Sequence, residues 1–319
     1  MMPITALTAK TFYSFEQALD ARYQIPYKDT EASRHILTAI YVHENDFPLP
    51  MHSHDFYEIN IITEGCGTHL LGNNSFQAQM GDVFVVPPHV QHGYEEDPER
   101  RLKILHILLS KKFMLEYESI LKSMNGYSLF FNIEPQLRKN NNIKIYASIN
   151  NAEFMYYQHE IRKLLAFCER LHEGLLNETN KNVKVLNLIC DLAATLILNQ
   201  NITLPDPIPN IPDLLHVLAH IDNNFAEDIT LADLCKISNM SRSTLLKSFS
   251  KLCKCSPADY LLTTRVENAC KMLEYSDASI AQIAQDCGFY DSSHFSKMFF
   301  KVKNTLPKNF RQSVKSENE

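Results

Sequence analysis

The chain has no run approaching the ~20 uninterrupted apolar residues that a membrane-crossing helix needs, and a spanning role is excluded. Its opening, MMPITALTAKTFYSF, lacks both a basic n-region and an apolar h-region, so no export signal is expected. Basic residues are outnumbered, with 31 Lys+Arg against 37 Asp+Glu, so the chain as a whole is no polycation. The eight cysteines show no paired spacing of a disulfide framework. Cys168, Cys190, Cys235, Cys270 and Cys287 fall in apolar stripes, and Cys253 and Cys255 lack the usual zinc partners. That usage implies reduced core thiols and a cytoplasmic protein. No catalytic dyad or cofactor-binding loop is legible, so no cofactor is expected.

The 319 residues, 45% of them hydrophobic, suffice for two or three cores. The clearest boundary is 201–212, NITLPDPIPNIP, where four prolines fall within twelve residues. Proline blocks helix and sheet ladders, so this stretch reads as an extended linker. Ahead of it, residues 31–109 hold the β-rich runs ILTAIYV, YEINIIT, GTHLL, DVFVVP and LKILHILL, punctuated by Gly, Asn, Asp and Pro. They predict a small β-barrel. From 110 to 200 the period becomes helical, with Phe154, Tyr157, Ile161, Leu164, Cys168, Leu171 and Leu175 on one stripe and Val183, Leu186, Ile189, Ala193 and Ile197 on another. Part of each stripe must cover the barrel, and the surplus is a seam for a homodimer. Residues 1–30, with Phe12, Tyr13, Phe15, Tyr23 and Tyr27, read as an arm over the barrel.

Beyond the linker, residues 213–314 carry two helix-turn-helix patterns, followed by a tail at 315–319. In the first, Leu231, Leu234 and Ile237 line one short helix, Ser241 caps the next, and Leu245, Phe249 and Leu252 form its inner face. Arg242, Ser243, Lys247 and Lys251 are left outside. In the second, Ile280, Ile283 and Ala284 pack one helix, Cys287-Gly288-Phe289 makes the turn, and Asp291 caps a helix with Phe295, Phe299 and Val302 facing inward. Ser292, Ser293, His294, Ser296, Lys297 and Lys301 remain available. From Ser241 to Arg311 there are eleven basic and six acidic side chains, the local surplus that phosphate neutralisation requires. Between the patterns, a long helix with Tyr260, Leu261, Arg265, Ala269 and Leu273 would space two reading heads for successive major grooves.

Ser256-Pro257, Tyr260-Leu261, Arg265 to Ala269, Ile283-Ala284, Cys287-Gly288-Phe289, Ser293-His294-Phe295-Ser296-Lys297 and Thr305-Leu306-Pro307 resemble the AraC/XylS family of transcription regulators. By that resemblance, Ser243, Leu246 and Lys247 take base-reading positions in the first recognition helix, and Ser292, Ser293, His294, Ser296 and Lys297 take them in the second. The family usually has Gly after each recognition helix, where this chain has Lys254 and Asn304. Asn visits the left-handed region readily, whereas Lys there carries strain. Phe300 stands where a phosphate-contacting Lys is common.

Within the barrel region, His52, His54 and Glu58, with Gly65 and later Gly81, Pro87 and His92, resemble the paired motifs of the cupin barrel. Residues 52, 54 and 58 share parity, so one continuous strand would point all three to the same face, and His92 could join them from a neighbouring strand. Three readings compete: a pocket for a small polar effector such as a sugar, a divalent metal site, or satisfied polar groups at the barrel mouth. His89, where a cupin usually has Gly, counts against metal.

The expected fold class is multidomain α+β: a cupin-like barrel with dimerisation helices, then an all-α domain with two helix-turn-helix motifs. The expected function, by the resemblance, is an effector-controlled transcription regulator, an activator. Its partners would be promoter half-sites on duplex DNA, RNA polymerase and a second copy of itself. The alternative from another class is a metal-dependent cupin enzyme, a dioxygenase or isomerase, or a metal sensor.

Overall fold

A computed structural model describes residues 12–13, 15, 18, 36–43, 47–124, 126–141, 149, 151–172, 178–198 and 210–316. The chain divides into two units, Met1–Pro205 and Asp206–Glu319, with the division inside the proline-rich segment. Among the described residues, no helix is long and apolar enough to cross a membrane. Cys66, Cys190, Cys235, Cys253, Cys255, Cys270 and Cys287 are free thiols.

Among its described residues the first unit has nine strands: β1 Phe12–Tyr13, β2 Thr38–His43, β3 Leu49–His54, β4 Tyr57–Glu64, β5 Cys66–Leu71, β6 Asn74–Gln79, β7 Val83–Val86, β8 His92–Glu96 and β9 Lys103–Leu109. They form a five-stranded sheet ordered β1-β3-β8-β5-β6 and a four-stranded sheet ordered β2-β9-β4-β7. Leu49, Ala78 and Tyr94 of the first sheet pack with Ile62, Phe84 and Ile104 of the second in one buried cluster. The five runs read from sequence correspond to β2, β4, β5, β7 and β9; β3 and β8 entered only through the histidine spacing, β1 was read as part of the arm, and NSFQAQ of β6 is too polar to look like a strand. Gly65 makes the β4–β5 turn at φ 74°, and a Cβ there would collide with the carbonyl oxygen of Arg101, so no other residue fits.

Part of the N-terminal arm joins the barrel. β1 pairs in parallel with β3, Phe12 opposite Ser53 and Tyr13 opposite His54. Phe15 and Ala18 are buried with Ala39, Phe56 and Leu108. Tyr23 and Tyr27 lie outside the described residues.

Among the described residues six helical segments follow: α1 Lys111–Glu116, α2 Glu118–Ser123, a π-helix Ser128–Ile133, α3 Glu134–Asn141, α4 Asn151–His172 and α5 Glu178–Leu198. Ser110 caps α1 by accepting the Phe113 N–H at 3.1 Å. α3 is locked to the barrel by a fully buried Arg138. Its guanidinium donates to Glu134 (2.9 and 3.1 Å), to the Val85 carbonyl (2.5 Å) and to His69 Nδ1 (3.3 Å). α5 lies against β2, where Lys181 donates to the Thr38 carbonyl (2.8 Å) and the Thr38 hydroxyl to Asn182 (3.0 Å). The expected α5 stripe needs one correction: Val183 is 43% exposed, whereas Leu186, Ile189 and Ala193 are buried as expected, with Val185, Leu188 and Leu192 buried beside them, and the Ile197 side chain lies outside those described. Lys181 and Asn182 hydrogen-bond the barrel and so turn the neighbouring Val183 outward. On α4, Phe154, Tyr157, Ile161 and Leu164 are buried as expected, while the side chains of Cys168 and Leu171 and the whole of Leu175 lie outside what the structure describes.

The second unit opens with α6 Ile211–Asn223. The linker was expected to end at Pro212, but Ile211 and Pro212 already form the first turn of this helix. Proline is tolerated there because its missing N–H would have no intrahelical acceptor. Then come α7 Leu231–Ser238, α8 Arg242–Cys253, α9 Pro257–Tyr275, α10 Ile280–Asp286, α11 Ser292–Lys303 and α12 Pro307–Ser316, the last overrunning the expected end of the domain at 314. Side-chain caps start five of them: Thr230 in a capping box, Ser241, Ser256, Ser279 and Asp291. α9 is the shared wall. Phe249 of α8 meets its Tyr260 edge-on at 5.8 Å, and its Val266, Ala269 and Leu273 are buried with Ile283, Ala284, Phe295 and Phe299.

Candidate functional site

The two halves of the helical unit repeat with an offset of fifty positions: Ser241 and Asp291 cap α8 and α11, each helix runs twelve residues, and each stops at a left-handed residue, Lys254 at φ 57° and Asn304 at φ 54°. Leu245, Phe249 and Leu252 are buried in α8, and Phe295 and Phe299 in α11, as the helical spacing requires. Arg242, Ser243, Lys247 and Lys251 are exposed along α8, with Leu246 half-buried. On α11, Ser293, His294, Lys297 and Lys301 are exposed, while Ser292 and Ser296 are half-buried, the Ser296 hydroxyl donating to the Ser292 carbonyl (2.8 Å). Phe300 shares this outer face at 51% exposure. Arg265 stays out of it, donating to the carbonyls of Phe225 (2.7 Å) and Glu227 (2.8 Å) with its guanidinium over Phe289. Gly288, at φ 75° with the Ala226 carbonyl only 2.5 Å from where a Cβ would sit, makes the turn before α11.

The barrel holds the second site. His52, His54, Glu58 and His92 do converge, but not along one strand as parity suggested. Asp55 and Phe56 form a bend that ends β3, so His52 and His54 belong to the five-stranded sheet and Glu58 to the four-stranded one, and they meet across the interior. His92 stands directly opposite His52 on β8. His54 Nε2 and His92 Nε2 lie 3.3 and 2.8 Å from Glu58 Oε2. His89, at φ 62°, fixes the adjacent turn by donating its N–H to the His54 carbonyl (2.7 Å).

Sequence reading missed four further groups. His106 of β9 donates Nδ1–H to Glu58 Oε1 (2.7 Å) and stacks on Tyr41 at 4.5 Å. Asn60 and the Tyr41 hydroxyl donate to the same carboxylate at 3.4 and 3.5 Å. His69 stacks on Tyr94 at 4.5 Å and accepts from Arg138. The available signal was a lone imidazole inside LKILHILL, an otherwise apolar β-run.

Burial raises the Glu58 carboxyl, but contacts from His106, His54 and His92 outweigh it and hold the group well below 4.5. Burial pushes His52 down to about 3, with the neighbouring His92 adding to it, and burial lowers His54 as well. The site is therefore a buried carboxylate ringed by imidazoles, able to hold a cation or hydrogen-bond a polyhydroxylated ligand.

Over residues 35–180 the sequence matches the AraC-like ligand binding domain family, and over 234–313 a helix-turn-helix domain family. Among curated relatives, the HTH-type transcriptional activator RhaS of Salmonella arizonae is 26% identical over 268 residues, 82% of this chain and 87% of that protein. RhaS of Salmonella typhimurium is 26% identical over 263 residues with the same coverage of 82% and 87%. The solved DNA-binding domain of AdpA in complex with a target DNA is 28% identical, covering 33% of this chain and 95% of that one at a TM-score of 0.32.

Proposed function

We propose that the chain is a transcription regulator of the AraC type, given its matches to the AraC-like ligand binding domain and to a helix-turn-helix domain, and that a small polar effector in the barrel controls how α8 and α11 read promoter half-sites. The observation that carries this reading is the doubled unit, two capped twelve-residue helices with buried aromatic inner faces and basic outer faces. Arg242, Ser243, Leu246, Lys247 and Lys251 contact one stretch of duplex, and Ser292, Ser293, His294, Ser296, Lys297 and Lys301 the next. The effector lies against His52, His54, Glu58 and His92, and the donors Tyr41 and Asn60 beside them suit a sugar. Exposed Met155, Tyr156 and Val183 on α4 and α5 supply the apolar surface of a homodimer seam. The regulator acts in the cytoplasm as an activator that engages RNA polymerase, and its output is altered transcription rather than turnover of a substrate.

Effector binding works by population shift, so its free energy must come from differential affinity for two arrangements, typically ~1–3 kcal/mol of coupling. The test is duplex retention across a salt series. Lys247→Ala and Lys297→Ala are each expected to weaken cognate DNA by about 1–3 kcal/mol while changing random duplex less, because base contacts specify and phosphate contacts position. Equal losses on both duplexes would overturn the base-reading roles.

A further inference from the structure

The two halves of the helical unit do not repeat evenly. Through α7 and the turn behind it, counterparts stand forty-nine positions apart: Thr230 and Ser279 cap α7 and α10, Leu234 and Ile283 are buried on them, and Asn239 and Gly288 take the left-handed turn at φ 51° and 75°. The same backbone bonds close both turns. Asn239 and Met240 donate their N–H groups to the carbonyls of Lys236 (3.3 Å) and Cys235 (3.2 Å), and Gly288 and Phe289 donate theirs to Gln285 (3.0 Å) and Ala284 (2.9 Å). Met240 and Phe289 are then both buried. From the next cap onward the offset is fifty: Ser241 matches Asp291, Lys247 matches Lys297, and Pro257 matches Pro307 at the head of the helix that follows. One residue of the second half therefore has no counterpart in the first. It is Tyr290, between the buried Phe289 and the cap Asp291.

Tyr290 is 93% exposed, more than any other large hydrophobic side chain among the described residues. A single exposed aromatic is ordinary on a protein surface, and what sets this one apart is its place. In a helix-turn-helix the first residues of the outward helix reach base edges, and the chain just ahead of them passes the rim of the groove, where the sugar–phosphate strand runs. Tyr290 stands one residue ahead of the α11 cap and three ahead of Ser293, with its neighbour Phe289 anchored in the core. A phenol supplies what that strand takes, an O–H for a phosphate oxygen and an apolar face for a deoxyribose. It brings no cation, so it releases no condensed counterion.

We propose that Tyr290 is a backbone clamp for the second reading helix: its hydroxyl donates to a phosphate oxygen beside the stretch that α11 addresses. The first half, one residue shorter at this turn, has no side chain in that place and makes no such contact. Tyr290 positions α11 on the strand without reading sequence. This inference rests on α8 and α11 meeting duplex DNA, and adds a residue to that contact.

The experiment uses full-length protein, first to select a binding site from a random duplex library. Fluorescence anisotropy then measures wild type and variants on that duplex and on a random duplex of equal length, from about 50 to about 200 mM KCl. Tyr290→Phe is expected to weaken both duplexes by a similar factor, about 2- to 10-fold for one lost hydrogen bond, with the slope of log K against log salt unchanged. Tyr290→Lys places a cation at the same point and should steepen that slope by about 0.9, the signature of one added phosphate contact. Both variants should keep the wild-type melting temperature. An unchanged slope with Tyr290→Lys would overturn the clamp, as would a Tyr290→Phe loss confined to the selected duplex, which makes Tyr290 a base reader, or a Tyr290→Phe protein that melts lower, which makes it part of the fold. Variants that bind both duplexes as wild type does, yet fail to activate a promoter fusion, would also overturn it and turn Tyr290 toward a protein partner. A wild type that binds duplex while neither variant differs from it fails only this inference, whereas a wild type that binds no duplex sinks the regulator reading and the clamp together.

Discussion

Glu58 and its imidazoles make acid the weak side of the barrel. His52 falls from 6.5 in the unfolded chain to about 3 when folded, and His54 also falls, so the unfolded state binds more protons between those values. The His52 contribution is complete above 6.5 and is lost as pH drops toward 3, and His54 acts in the same direction. Glu58, held well below 4.5, adds stability above that value that is lost beneath it. All three act in the same direction. In metal-free protein, lowering pH from 7.5 to 5 is therefore expected to lower the melting temperature of the first unit while the second changes little, as calorimetry can check. A barrel equally stable at both values would contradict the buried neutral state of the histidines. At this scale the sequence was partly legible: the HSHDFYE spacing named three members, but His106 comes from forty-eight positions beyond Glu58 and only strand pairing brings it in. Lys254 was legible too: the resemblance puts Gly at that position, and the structure holds Lys254 in the left-handed region at φ 57°.

Elements explain why parity misled. A bend at Asp55 and Phe56 hands the chain from one sheet to the other, and no period-two argument can see such a transfer. Helical periods fared better, because amphipathic stripes are set within one element, and Val183 failed where polar contacts to β2 fixed the rotation of α5 instead. α3 shows the opposite limit: nothing in EPQLRKNN announces that Arg138 enters the barrel wall. Its buried pair with Glu134 makes a test of docking. Arg138→Ala leaves an uncompensated buried carboxylate and is expected to cost about 3–5 kcal/mol, whereas Arg138→Met combined with Glu134→Leu should cost far less. Urea denaturation followed by far-UV circular dichroism separates the two, and equal losses would assign the effect to packing alone.

Across the whole molecule, the chain parts into two units between Pro205 and Asp206, inside the proline-rich stretch where composition shifts. Two units imply separable failure. His52→Ala combined with Glu58→Ala is expected to leave duplex retention intact and abolish the effector response of a promoter fusion. A double variant that responds normally would move the pocket elsewhere, and one that loses DNA as well would show that the barrel must be intact for the second unit to work.

The fifty-position offset of the helical unit has a grammatical consequence. Each outward-facing segment is bracketed by the same punctuation, a hydrogen-bonding cap in front and a left-handed stop behind, so 242–253 and 292–303 are words of equal length between identical marks. On the proposed base-reading roles, exchanging their outward-facing side chains would invert the order in which a promoter is parsed.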